Sequence, residues 1–349
     1  MSAIATDSLE QGALASTTVR QFQRAVALAL LAVGVGCVIY AVEKYVVCPP
    51  RRFVENPASV MTRAIGLAHF WIGWLFLLTS PRVRSAGAVG RLLGLVLLGA
   101  ALCVVCGLSG ASHNSFVFLF LYGYFLLHEV RDQTMLYQAY GDAPPASPEG
   151  QAFLAVLCRA ASLGLTTLLT AGYLLHGFLK GKIAVESPWM QGCLLGALTV
   201  LLLASLATGF RALRLGCRLY GDPAGIVTAH RPLLLVYAGI CAILLLATVV
   251  GSVVFNLIIL IHAAAWLLFL RVQLGQRPAP ARFGLWSWLR GTPLGFSVLH
   301  FGVAALILVL LGLRVYVWER VGLVSEMLDA ASFSYWSLMH ITIAFWRPR

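Results

Sequence analysis

The stretch FLLHEVRDQ, residues 125–133, closes an apolar run with His128, Glu129, Arg131 and Asp132. His128 and Asp132 are four apart and share one helix face. Glu129 lies about 100° around the same helix. His-Glu-x-x-Asp thus has the spacing of the zinc-binding His-Glu-x-x-His helix, with a carboxylate replacing the second imidazole. Aspartate is a sound ligand for zinc or non-haem iron, and Glu129 is then a candidate general base toward a metal-bound water. Arg131 supports a simpler reading, an ion-paired helix end at a membrane surface.

Other histidines extend the pattern. Of eight, His262, His300 and His340 fall within apolar runs, and the expected topology puts them with His128 between the midplane and the inner third. His69, His113 and His176 are expected toward the outer face, and His230 in a turn. Ionisable side chains in a bilayer are costly and turn toward a bundle interior, a cavity or a partner. His128, Asp132, His262, His300 and His340 are therefore the candidate metal ligands, for iron or zinc. A haem held by two histidines, such as His262 with His300 or His340, is the alternative cofactor. The plain alternative is a set of neutral histidines bonded to neighbouring helices. Arg131 and Arg159 are candidates for a lipid or anion headgroup, because arginine near a span end reaches the interface. Arg159 is also placed to pair with Asp132 or Asp142.

Several chemistries are excluded. The sequence has no HExxH, none of the multiple histidine boxes of membrane desaturases, no Walker A motif, no GxGxxG after a strand and no GxSxG elbow. Cys103-Val-Val-Cys106 lies inside an apolar run, where cysteine packs as a small hydrophobe and lacks the electropositive setting of a redox pair.

The elements that must position these groups are membrane helices. The 349 residues are 60% hydrophobic and 11% charged, against about 25% charged in soluble domains. An all-α polytopic bundle is expected, with spans near 25–47, 64–80, 91–110, 116–137, 152–178, 189–210, 232–250, 253–271, 295–313 and 331–346. The last is short enough to be interfacial. Residues 1–24 form a polar tail and 25–349 one multi-pass domain. The first apolar run lacks a cleavage signal and is read as a retained helix.

The net charge is +12, and only Lys44, Lys180 and Lys182 among 25 basic residues are lysine. Basic clusters at Arg82–Arg91, Arg211–Arg231 and Arg271–Arg290 fall on one side of a ten-span topology, which predicts both termini in the cytoplasm. The arginine-rich composition points to a bacterial inner membrane. The charge suits anionic lipid, with no interleaved basic and aromatic surface for nucleic acid.

Three local features complete the reading. Tyr140-Gly141-Asp142 recurs as Tyr220-Gly221-Asp222, a helix stop in both places. Tryptophans near span ends, including Trp71, Trp74 and Trp336, form an expected interfacial belt. Thr166, Thr167, Thr170 and Asn256 are expected at helix contacts.

The function this pattern favours is a histidine-based metal enzyme of the membrane, acting on a lipid or isoprenoid-like substrate. A haem electron-transfer protein, and a transporter or assembly factor without chemistry of its own, are the alternatives.

Overall fold

A computed structural model describes residues 57–79, 86–108, 115–140, 147–179, 188–250, 256–275, 284–316, 328 and 330–345. Among these the protein is all-α, with ten helices: α1 Pro57–Leu78, α2 Ala86–Leu108, α3 Ser115–Tyr140, α4 Pro148–Leu179, α5 Pro188–Tyr220, α6 Pro223–Val250, α7 Asn256–Gly275, α8 Leu285–Gly291, α9 Pro293–Tyr316 and α10 Ala330–Ala344. Seven, α1, α2, α4, α5, α6, α7 and α9, are long and apolar enough to cross a membrane. The chain is a multi-pass helical membrane protein.

The expected span 116–137 is helical as α3 but falls outside the seven, because Glu129, Arg131 and Asp132 crowd its second half. The expected span 331–346 is the 15-residue α10, about 22 Å long and short of a ~30 Å hydrocarbon core. The expected span 25–47 lies outside the described residues.

The chain divides into two compact units. The first runs from Leu126 to Ala265 among the described residues, and the second comprises the described residues up to Phe125 and from Trp266 onward.

In the first unit α4 packs on α5 and α6, and α5 packs on α6. Small residues set these approaches. A methyl group on Gly172 would collide with Thr248 of α6, and one on Gly216 would come within 2.8 Å of Phe153. Thr166 is half-buried, and Thr167 and Thr170 are buried. Their hydroxyls donate to the carbonyls of Ser162, Leu163 and Thr166, four residues back, which satisfies them where no water is present. The face of α5 bearing Leu195, Leu203, Leu206 and Phe210 is exposed and fits lipid contact.

The expected loop from Arg211 to Arg231 is almost entirely helix. Arg211, Arg214 and Arg218 extend α5 by three turns, since arginine, leucine and alanine are good helix formers. The Gly221-Asp222 stop separates α5 from α6. Gly221 takes φ +89°, its N–H donates to the Cys217 carbonyl, and Asp222 Oδ1 accepts from the Gly225 N–H at 2.6 Å to cap α6. The matching stop at 140–142 lies largely outside the described residues. Farther along, α6 breaks at His230 (φ −118°, ψ 20°), just ahead of Pro232, which lacks a helical N–H.

In the second unit α9 packs on α1 and α8, and α10 on α2 and α1. Leu67, Phe70, Ile307 and Leu311 form the core of that packing. Trp71 and Trp74 turn toward Trp336, with ring separations of 6.0 and 5.2 Å. These three rings are therefore packing residues, since they have one another to cover as well as an interface. Arg290 of α8, expected only as a topology charge, donates to the Thr79 and Phe76 carbonyls at 3.0 and 3.3 Å and neutralises the last turn of α1.

Candidate metal centre

The C-terminal half of α3 departs from amphipathic design. His128, Glu129, Asp132, Gln133 and Thr134 are all buried, while Arg131 is half-buried. Polar groups in such a place need partners, and the first unit supplies them from α6 and α7. Thr134 donates to the Val130 carbonyl at 2.6 Å and shares a 2.6 Å hydroxyl contact with Tyr237 of α6. Tyr137 donates to the Ala229 carbonyl at 3.1 Å and lies 3.0 Å from His230 Nδ1, at the break in α6.

His262 of α7 meets the same face. Its Nδ1 donates to Glu129 Oε2 at 2.6 Å, and Gln133 Nε2 donates to Glu129 Oε1 at 2.9 Å. Both carboxylate oxygens of Glu129 are thus engaged in a fully buried site. The bond holds a neutral His262 in the tautomer with its proton on Nδ1, which directs the Nε2 lone pair away from Glu129. His128 Nε2 stands 3.4 Å from Asp132 Oδ2, and the His128 and His262 rings are 4.8 Å apart. One donor atom each from His128, Asp132 and His262 lie within 4.8 Å of one another. Two ligand atoms ~2.1 Å from one zinc at the tetrahedral angle would be ~3.4 Å apart, so the His128–Asp132 pair already has the spacing of an occupied edge.

The expected site residues thus fall in several places. His128, Glu129, Asp132 and His262 are together in the first unit. Arg131 and Arg159 both bring positive charge near Cys158 of α4, with Arg159 exposed. Asp132 lies against His128, and Asp142 lies outside the described residues. His300 and His340 belong to the second unit, where they flank His69.

The expected separation of His69 from His300 and His340 is not found. The His69 ring lies 5.0 Å from that of His340 and 6.1 Å from that of His300. The helix that carries it begins at Pro57 rather than near residue 64, and His69 is buried in its middle. His176 donates through Nδ1 to the Thr248 carbonyl at 2.7 Å. His113 lies outside the described residues. Cys103 and Cys106 are unpaired, and the Cys103 thiol faces the Tyr335 carbonyl at 3.6 Å, in keeping with a packing role.

The sequence reading missed the support around the centre. Gln133 follows Glu129 at i+4, a spacing that could have signalled their bond. The Thr134–Tyr237 and Tyr137–His230 pairs join residues about a hundred positions apart, and no local pattern announces them. Comparison with protein-family models, with curated proteins and with solved structures finds no match to this chain.

Proposed function

We propose that the protein is an integral membrane enzyme whose metal ion is held by His128, Asp132 and His262. The observation that carries this reading is the convergence of those three donors within 4.8 Å, buried, with Glu129 fixing the tautomer of His262. Two imidazoles and one carboxylate form the ligand set of non-haem iron sites with open positions, and equally a three-ligand catalytic zinc site. Asp132 and Glu129 together offset the charge of a divalent ion in a medium that cannot solvate it.

Within this reading Glu129 is the group that orients His262, because both its oxygens are already bonded. The general-base role is therefore moved off Glu129. The metal, when bound, supplies an activated water or a Lewis acid. Burial amid apolar helices favours an apolar substrate of lipid or isoprenoid type, and Arg131 and Arg159 are the groups to meet an anionic head. Its place is an integral membrane, with a bacterial inner membrane as the proposed setting.

The test is metal analysis of the detergent-purified chain, followed by turnover of a lipid-extract panel read by mass spectrometry. Stoichiometric iron or zinc that disappears in His128→Ala and Asp132→Ala supports the centre. A metal-free wild-type chain after reconstitution with each ion would overturn it.

A further inference from the structure

The end of α5 in the first unit carries a charged strip that the proposed metal centre does not use. α5 has 33 residues, about 50 Å of helix against a ~30 Å hydrocarbon core. Trp189 at its start is exposed, and tryptophan is enriched at membrane–water boundaries. Arg211 follows Trp189 by 22 positions, about 33 Å along the axis, so it meets the opposite boundary. Arg214 and Arg218 lie about 4.5 and 10.5 Å beyond Arg211, where long arginine stems still reach the phosphate layer. All three arginines are exposed, and their i, i+3, i+7 spacing puts them on one face. Val200, Leu203 and Phe210 are exposed on that same face, fourteen, eleven and four residues before Arg214. The strip is therefore apolar where acyl chains lie and cationic where phosphates lie.

The three charges are also unbalanced. Like charges three or four residues apart repel and destabilise a helix. No carboxylate stands three or four residues from Arg211 or Arg214. Asp222 follows Arg218 by four, but its Oδ1 accepts from the Gly225 N–H. None of the three arginines has an ion-pair partner among the described residues. Orientation in the membrane requires only basic residues near the boundary. Three stacked on one lipid-facing strip, without a counter-charge, fit an anionic ligand.

We propose that Arg211, Arg214 and Arg218 bind the head of a two-phosphate phospholipid, cardiolipin, with its acyl chains along Val200, Leu203 and Phe210. Charge sets the preference: three guanidiniums outweigh one phosphate and are nearly balanced by two. Arginine suits the role because its planar fork bonds phosphate oxygens in pairs. The rise of ~10.5 Å from Arg211 to Arg218 gives each phosphate its own partners. Basic side chains at the headgroup level of membrane helices hold such heads in general. The inference is independent of the proposed enzyme centre, which uses none of these residues.

The experiment is a titration of the delipidated, full-length chain in detergent with cardiolipin, phosphatidylglycerol or phosphatidylcholine, read by native mass spectrometry. One cardiolipin per chain is expected, held at least ~5-fold more tightly than phosphatidylglycerol, since the second phosphate engages at least one more arginine. Arg211→Gln, Arg214→Gln and Arg218→Gln should each weaken it ~5-fold, and the triple variant ~100-fold. Arg271→Gln removes the same charge from an exposed position on α7 and should leave affinity within about twofold, because it lies outside the strip. Inorganic pyrophosphate at equal concentration is expected to leave the lipid bound, because the chains add apolar contact. Equal affinity for cardiolipin and phosphatidylglycerol would overturn the proposal, as would a monodisperse triple variant that binds like Arg271→Gln. Displacement by pyrophosphate would make the ligand a free anion, and an arginine-dependent dimer in lipid-free detergent would make the strip an interface between copies; either result also overturns it.

Discussion

Glu129→Gln is the most informative single change. The substitution keeps shape and volume in a fully buried position but removes one negative charge. Glutamine can still accept from His262 Nδ1 through its carbonyl oxygen. A charge-assisted hydrogen bond contributes ~1.5–3 kcal/mol and a neutral one ~0.5–1.5 kcal/mol, so the bond alone weakens by about 1 kcal/mol. The charge itself acts over a longer path. With a 2.6 Å bond from Oε2 to Nδ1, the width of the ring and a ~2.1 Å metal–nitrogen bond, the carboxylate stands roughly 6.5 Å from the ion. At an effective dielectric of ~20, a charge of −1 and one of +2 at that distance attract by ~5 kcal/mol. Much of that is offset, because removing the carboxylate also removes its burial cost. The net loss should match what supporting carboxylates contribute elsewhere, a 10–100-fold drop in metal affinity, or ~1.4–2.8 kcal/mol. The assay is competition of wild type and variant against a chromophoric chelator, in the same detergent. Unchanged affinity would refute the orienting role. A loss as complete as that of His262→Ala would also refute it, by making Glu129 a ligand.

Four further outcomes follow from the structure. His128→Ala and Asp132→Ala should each abolish stoichiometric metal at the proposed centre while the chain stays monodisperse, checked by elemental analysis of size-exclusion peaks. Gly216→Val should destabilise the protein by ~1–3 kcal/mol through overpacking against Phe153 and Ile226, seen as a lower melting temperature in a thiol-reactive dye assay. Gly221→Ala should cost about 1 kcal/mol at φ +89°, and the same assay reads it. Tyr237→Phe removes the contact with Thr134 but leaves the Thr134 bond to the Val130 carbonyl, so a loss of about 1 kcal/mol with retained metal is expected.

The helical membrane architecture was legible in the sequence because length and hydropathy alone define spans. The pairing of His128 with Asp132 was legible from i,i+4 spacing. His262 was recognisable as a costly residue in an apolar run, but its bond to Glu129 depends on how α7 meets α3. The start of α1 was placed late because Pro57, Ala58 and Ser59 carry little apolar signal, and the approach of His69 to His300 and His340 depends on how α1 meets α9 and α10. The loop predicted over Arg211–Arg231 failed for a related reason. Arginine was read as a mark of the aqueous phase, although its long apolar stem and helix propensity let α5 continue past any bilayer boundary. Buried polarity defeated the reading of α3 as well: hydropathy treats Glu129 and Asp132 as surface groups, and the structure turns them inward.

That inward turn has a consequence for synthesis. The groups from other helices that meet this face of α3 in the first unit come from α6 and α7, and His262 follows Glu129 in the chain by 133 positions. At roughly 5–20 residues per second, Glu129 exists for about 7–27 s before its partner is made. A charged residue at the centre of a lone helix opposes bilayer insertion by about 2.5–3.5 kcal/mol. Nascent α3 therefore has to wait at the translocation machinery or at the lipid headgroups until α7 emerges. Chains truncated between Val250 and His262 should thus be the ones the cell's membrane proteases remove fastest, while the same truncations in a Glu129→Leu, Asp132→Leu background should persist.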